Sequence, residues 1–541
     1  MTWASRAGAL ALACATAAII TWPQALHLTT TVSAHHDAAF SMWRLAWLAH
    51  AVVQQPARLF DANIFLPAHR TFAFSDATLL QGTLAVPLIW AGVPLGLIYN
   101  LLLIGGIATS ALAMTGLVRY LTRSHTAALV AGVAFAALPY RVEHAMHLEL
   151  QWSAFIPLTW WTLHRLVEQP TYRRGVACGV MVALQVLACV YYGVLLVLVL
   201  ALTAPAYWWY AGTERLRLTL APLLCGAAVA VCLTLPYLLP YAAAARIVGS
   251  RDTAEVARYS ATLTSFLSSP ATSLWWGWTA DRWGSAELRL FPGLATLLLG
   301  ALGLWWQQRR VVALYAAVVI VATAVACGTH GPVVPLLTAV LPALQGLRAL
   351  ARTAIIAEAA LSVLAGLGVA WVLGRLRGHP TLQRALCVAC VAGVLGEALQ
   401  HPMPLAAAPA TRPPDAYRVL ARAPEGHVLE LPLPALDALP GHEPTYQLWS
   451  TWHWRTLVNG YSGYYPPAYL DAVPTLSAFP DDASVAWLRA HDVRYVLIHR
   501  AFYDASSLGA LTIAVARRTE LVSMGTWRTP DGTADLISLR P

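Results

Sequence analysis

From the N-terminus to about residue 401 the chain alternates between long apolar runs and short polar connectors. The runs predict about eleven membrane-spanning helices, because roughly 20 apolar residues are needed to cross the hydrocarbon layer. They fall near 7–27, 95–118, 124–139, 149–165, 175–191, 193–211, 218–240, 291–306, 311–327, 354–374 and 385–401. The first run continues from Ala7 past Trp22 to Leu28. It is expected to be a retained span rather than a leader, although Val32-Ser33-Ala34 has the small-residue character of a cleavage site. Two stretches break the rhythm. Residues 28–94 form a long loop between the first two spans. At about 100° per residue, Asp37, Ser41 and Arg44 share one helical face and Phe40, Trp43 and Trp47 another. That pattern predicts a helix in the membrane interface with its rings toward lipid. Asp76 to Trp90, interrupted by Pro87, is expected to be re-entrant or interfacial.

Beyond Pro402, Pro404, Pro413 and Pro414 the period changes to short alternating segments. Strands are predicted at His427–Leu431, Arg494–Ile498 and Asp535–Leu539. Helices are predicted at Ala468–Ser477, at Asp482–His491 with Asp482 as N-cap, and at Ser506–Arg517. The expected fold class is therefore an α-helical polytopic membrane protein with a small C-terminal α/β domain. The expected domains are 1–401, with 28–94 as its first outer loop, and a soluble domain over 402–541.

Composition agrees. Of 541 residues, 58% are hydrophobic and 11% charged, against roughly 25% charged in a typical soluble domain. A disordered chain and a wholly soluble protein are both excluded. The net charge is +9, and every basic residue is arginine. The arginines are not gathered for nucleic acid. They occupy alternate connectors: Arg119 and Arg123; Arg165, Arg173 and Arg174; Arg215 and Arg217; Arg309 and Arg310; Arg375, Arg377 and Arg384. An excess of arginine marks cytoplasmic loops, which puts the N-terminus inside and the tail outside. All eight cysteines lie in apolar segments, so no disulfide framework is expected, and Cys387-x-x-Cys390 reads as small core residues.

The outer connectors hold nearly all the acids and histidines. Asp37, in an aromatic-rich helix, is a candidate base if partly desolvated, or else a helix-start acid facing the dipole. Over Pro139–Gln151, helical spacing brings Arg141, His144, His147 and Gln151 within an arc of about 120°. These groups suit a phosphate, or His144 and His147 suit a divalent metal with an acid from another loop; a water-facing loop is the alternative. Arg348 and Arg352, one turn apart, suit a lipid phosphate or headgroup anchoring. In the tail, Tyr461, Tyr464 and Tyr465 cluster with Trp449, Trp452 and Trp454 around Asn459-Gly460-Tyr461-Ser462-Gly463. They suit a platform for an acceptor, or a packed core.

The stretches HHDAAFSMWRLAWLAH (35–50), RLFDANIFLPAHRTFAFSD (58–76), LPYRVEHAMHLELQW (138–152), ELRLFPG (287–293) and NGYSGYYPP (459–467) resemble those of GT-C superfamily membrane glycosyltransferases of the family 39 type, in bacteria. The resemblance implies a multi-pass enzyme of the inner membrane with its C-terminal domain outside. Such an enzyme moves a sugar from a polyprenyl-phosphate donor to a glycan, lipid or protein acceptor. It implies Asp37 as the base, with Asp61, Asp76 and Glu287 as candidates for a second acid. Arg141, Arg348 and Arg352 would lie on phosphate, and His144 and His147 at a polar or divalent-metal site. The loop has no Asp-x-Asp pair. Two other classes stand beside this one: a secondary transporter, against which the nearly charge-free span centres and the lack of a repeat count, and a non-enzymatic scaffold whose tail binds a partner.

Overall fold

The computed structural model describes residues 3–249, 252–340 and 346–540. The chain forms two compact units, one of Met1–Ser33, Asn100–Tyr237 and Ser250–Leu405, the other of Ala34–Tyr99, Leu238–Gly249 and Ala406–Pro541. One break between the units falls between Leu405 and Ala406. The first long loop, however, belongs to the same unit as the tail and not to the rest of 1–401, because its aromatic residues find their packing partners there.

Among the described residues, five helices are long and apolar enough to cross a membrane: Leu95–Thr122, His125–Glu143, Thr213–Ile247, Arg309–Ala326 and Leu350–Arg375. A sixth results if Val190–Leu202 and Ala204–Ala211, bent by 57°, form one span. The other expected spans meet helices at Trp3–Ile20, Phe155–Glu168, Tyr172–Ala188, Leu294–Gly303 and Pro380–Glu397, which fall short in length or apolar character. Length and composition alone therefore do not reproduce eleven spans. An apolar run counts turn residues as well as helix: Glu149–Gln151 is a separate 3-10 turn ahead of Phe155–Glu168.

The helical unit is held by close backbone approach. In lipid, association relies on packing of small residues rather than on hydrophobic burial. A Cβ on Gly303 would stand 2.1 Å from the Leu364 carbonyl, and one on Gly368 2.1 Å from that of Leu299. Only glycine lets these two helices cross so tightly. In the stretch Leu350–Arg375, 83% of the apolar window is buried, against 22% for Thr213–Ile247. The former is the core of the unit.

In the second unit the tail forms a four-stranded sheet of β1 (His427–Leu431), β2 (Val493–His499), β3 (Leu521–Thr529) and β4 (Gly532–Leu539), in the order β1-β2-β4-β3. β1 and β2 are parallel and the other pairs antiparallel. Leu429, Leu431, Val496, Ile498 and Ile537 point to one apolar core, while Val428, Tyr495, Leu497 and Leu536 point to another. Alternation thus buries both faces. The three expected strands are present. β3 was not foreseen, nor were helices Asp415–Arg422 and Glu443–Trp449. The helix expected from Asp482 is capped by Asp481, whose Oδ1 accepts from the Ser484 amide at 2.8 Å.

Helix His36–Gln54 forms where expected, but not as an interfacial helix. Trp43 and Trp47 are each 1% exposed. Their indole N–H groups donate to Asn63 Oδ1 at 3.2 Å and to the Leu59 carbonyl at 2.9 Å. Ser41 and Arg44, on the other face, are buried too. The rings meet protein rather than lipid because the rest of the loop and the helix Glu443–Trp449 enclose this helix.

Candidate functional site

Asp37 stands in the first turn of helix His36–Gln54, two residues after the N-cap His35. It is buried, and its Oδ1 accepts from the Tyr461 hydroxyl at 2.7 Å. The Tyr461 ring meets His36 and Phe40 edge-on, each at 5.2 Å between centroids. The other carboxylate oxygen faces His35 Nδ1 at 3.4 Å and His36 Nε2 at 3.9 Å.

The turn that carries Tyr461 is anchored from below. Asn459 accepts from the Glu430 amide at 2.7 Å and returns a bond to the Glu430 carbonyl at 2.9 Å. Glu443, fully buried, accepts from Asn459 Nδ2 at 3.0 Å and from the Gly460 amide at 2.7 Å. Burial pushes the Glu443 carboxyl up to about 8, even against these donors. Behind it, the His499 ring contacts Glu430 at 2.7 Å and Asp531 at 3.4 Å. Burial opposes a charge on His499, but the two carboxylates outweigh it and raise its pKa. Glu430, Glu443, His499 and Asp531 were not singled out from sequence. Only the Asn459-Gly460 turn signal beside Tyr461 pointed to this region.

Of the second-acid candidates in this unit, Asp61 Oδ1 accepts from the Arg70 amide at 2.8 Å and organises a turn. Asp76 is buried and closes its own turn through the Thr78 amide at 3.1 Å. Tyr465 packs on Phe65 and Tyr469 at 5.8 and 5.9 Å, and Tyr464 is half-buried. Tyr461 is turned to Asp37, and all three tyrosines are half-buried. An aromatic groove of the same unit is lined instead by His50, Trp90 and Trp454, with His50 stacked on Trp454 at 4.1 Å.

The helical unit holds the remaining candidates. Arg141 is 1% exposed and its donors point inward, to the carbonyls of Phe135 and Gln151 and to Ser153 Oγ. It braces the turn after its helix, which corrects its expected place on a phosphate. Arg352 grips Glu287 through two bonds, Nη2 to Oε1 at 2.7 Å and Nε to Oε2 at 3.3 Å. Burial favours the neutral acid at Glu287, but the Arg352 guanidinium holds the carboxyl far below its usual range. That makes Glu287 a poor base. Arg348 lies over the Tyr259 ring at 4.8 Å and 3.5 Å from Glu255, both groups partly exposed.

His144 is 2% exposed, and neither ring nitrogen has a hydrogen-bond partner. Burial pushes it down to about 3, so its 3.8 Å approach to Glu287 is that of a neutral ring and not an ion pair. Its ring centroid is 5.5 Å from that of His147. Glu287, 3.8 Å from His144, is committed to Arg352. Among the described residues, the triplet with metal-ligand spacing is His35, His36 and Asp37.

No family model matches the chain, and no curated protein matches its sequence. Solved structures do match its fold. Two structures of the arabinofuranosyltransferase AftD from Mycobacteria align with a TM-score of 0.59 at 14% and 15% identity, over 99% and 98% of this chain. The chain spans 42% and 41% of those AftD chains, less than half of their length. ArnT from Cupriavidus metallidurans aligns over 98% of both chains, with a TM-score of 0.49 and 12% identity. The likeness to AftD is one of fold.

Proposed function

We propose that this chain is an integral-membrane glycosyltransferase that moves a sugar from a polyprenyl-phosphate donor to an extracytoplasmic acceptor. The observation that carries the reading is the buried Asp37 carboxylate, oriented by the Tyr461 hydroxyl at 2.7 Å, in a chain with the fold of an arabinofuranosyltransferase. A carboxylate held in one orientation and shielded from bulk water suits proton abstraction. Asp37 takes the proton of the acceptor hydroxyl as its oxygen attacks the anomeric carbon. The bond from that carbon to the phosphate oxygen breaks, and the electron pair leaves with the polyprenyl phosphate. Of the expected phosphate ligands, Arg348 keeps the more exposed guanidinium, whereas Arg352 is committed to Glu287. The arginine-bearing connectors are assigned to the cytoplasm, and the tail with Asp37 to the outside. The acceptor is a glycan, lipid or protein of the cell envelope.

The test is Asp37→Asn in isolated membranes supplied with a polyprenyl-phosphoryl pentose or hexose. Transfer is expected to vanish while the protein remains in the membrane at its normal level. Wild-type turnover by the variant overturns the reading. A phenotype lost on deleting 402–541 but kept by Asp37→Asn turns it toward a binding scaffold.

A further inference from the structure

We propose that the groove lined by His50, Trp90 and Trp454 binds the sugar rings of an uncharged oligosaccharide, at a site separate from Asp37. The groove holds about 410 Å³, within the roughly 300–1,000 Å³ of small-molecule sites. Its walls come from the later turns of helix His36–Gln54, from the end of helix Leu79–Trp90 and from the segment 451–454, all within one unit. Both indoles are held in place. Trp90 is 60% exposed, yet its N–H donates to the Ala49 carbonyl at 3.2 Å. What the ring offers a ligand is therefore carbon surface rather than its donor. Trp454 has a φ of 56°, a conformation that bulky side chains rarely adopt. Its amide donates to the Ser450 carbonyl at 2.7 Å, and the His50 ring stacks on its indole at 4.1 Å. Beneath it, Asn63 Nδ2 donates to Ser450 Oγ at 2.9 Å, and Asn63 Oδ1 accepts from the Trp43 indole at 3.2 Å. Strain that the surroundings over-determine in this way is found at ligand clamps.

The chemistry of the walls selects the occupant. Among the described residues, neither an acid nor an arginine lines the groove. Burial lowers the pKa of His50, so its ring is neutral at neutral pH. A phosphate, a carboxylate or an ammonium group finds no counter-charge there. His50, Gln54 and Thr451 bring neutral polar groups, which an acyl chain would strip of water without replacing the lost hydrogen bonds. An uncharged sugar matches both features. The C–H bonds on one face of its ring meet the negative face of an indole, and its hydroxyls are matched by the amide, hydroxyl and imidazole. At about 1.5 Å per residue, His50 stands roughly 20 Å along the helix axis from Asp37. A sugar in the groove is therefore too distant from that carboxylate to be the reacting one. On the transfer reading, on which this last step rests, it is a distal unit of the acceptor, and the acceptor is an extended glycan.

Binding is measured with no sugar donor present, so the groove and the transfer reading fail separately. Full-length protein, in detergent and in nanodiscs of phosphatidylethanolamine and phosphatidylglycerol, is titrated calorimetrically with linear hexasaccharides of glucose, mannose, galactose and arabinose. At least one is expected to bind with a submillimolar Kd in both settings. Trp90→Ala is expected to weaken that binding at least about tenfold at an unchanged melting temperature, and Trp90→Phe, which restores an aromatic face, to stay within about threefold of wild type. Absence of binding by every probe at millimolar concentration overturns the assignment. So does equal affinity in wild type and Trp90→Ala, or an equal loss in Trp90→Ala and Trp90→Phe. Binding in detergent that disappears in nanodiscs gives the groove to lipid and overturns it as well.

Discussion

Replacing Tyr461 by phenylalanine removes one oxygen and little else. The ring keeps its edge-on contacts with His36 and Phe40 at 5.2 Å, so the variant isolates the hydroxyl. What is lost is the 2.7 Å bond to Asp37 Oδ1. A hydrogen bond to a charged group is worth about 1.5–3 kcal/mol net, and burial of the carboxylate puts this bond toward the upper part of that range. If the bond serves to orient Asp37, the loss should fall on kcat. At about 1.4 kcal/mol per tenfold, the expected decrease is roughly 10- to 150-fold with KM for the donor nearly unchanged. The assay is sugar transfer in membranes beside the melting temperature of purified protein. Combining Tyr461→Phe with Asp37→Asn should add nothing to the loss of Asp37→Asn alone, because the hydroxyl acts through that carboxylate. Turnover within twofold of wild type at unchanged stability would refute the orienting role. So would a loss confined to KM.

Two further outcomes follow from buried acids. Glu443 is raised by burial to about 8 in the folded chain, from about 4.3 when unfolded. The folded state keeps a proton that the unfolded state gives up, so this group's contribution is fully present below pH ~4.3 and is lost as pH rises toward 8, by about 1.4 kcal/mol per unit. Glu443→Gln should therefore flatten the fall in melting temperature between those pH values; parallel curves for wild type and variant would contradict the assignment. Glu287→Ala should cost about 3–5 kcal/mol, because it strands a buried guanidinium on Arg352, which is 7% exposed. A thermal shift of less than a degree would show that the pair is not structural.

Much of the fold was legible because lipid and water sort residues strongly. Apolar runs located the helices. The strands His427–Leu431 and Asp535–Leu539 were readable from alternation, whereas β3, with Ser523, Gly525 and Arg528 among its residues, lacked the apolar period that marks a strand. The candidate base was readable as an acid in an aromatic helix. Its partner was not, since Tyr461 lies 424 positions away and nothing local in either segment specifies the pairing.

The reading of side-chain roles shows the same division. Helical spacing grouped Arg141 with His144 and His147, but spacing does not tell whether a guanidinium faces a ligand or its own backbone. Sequence determined which residues can carry charge, which stretches are apolar and where the chain changes character, since these follow from the solvation of each residue and its near neighbours. Tertiary structure alone decided that the first loop joins the tail, that Trp43 and Trp47 meet protein and not lipid, and that Glu287 is committed to Arg352. Each of those outcomes depends on which distant groups desolvate one another, and that is a property of the folded chain.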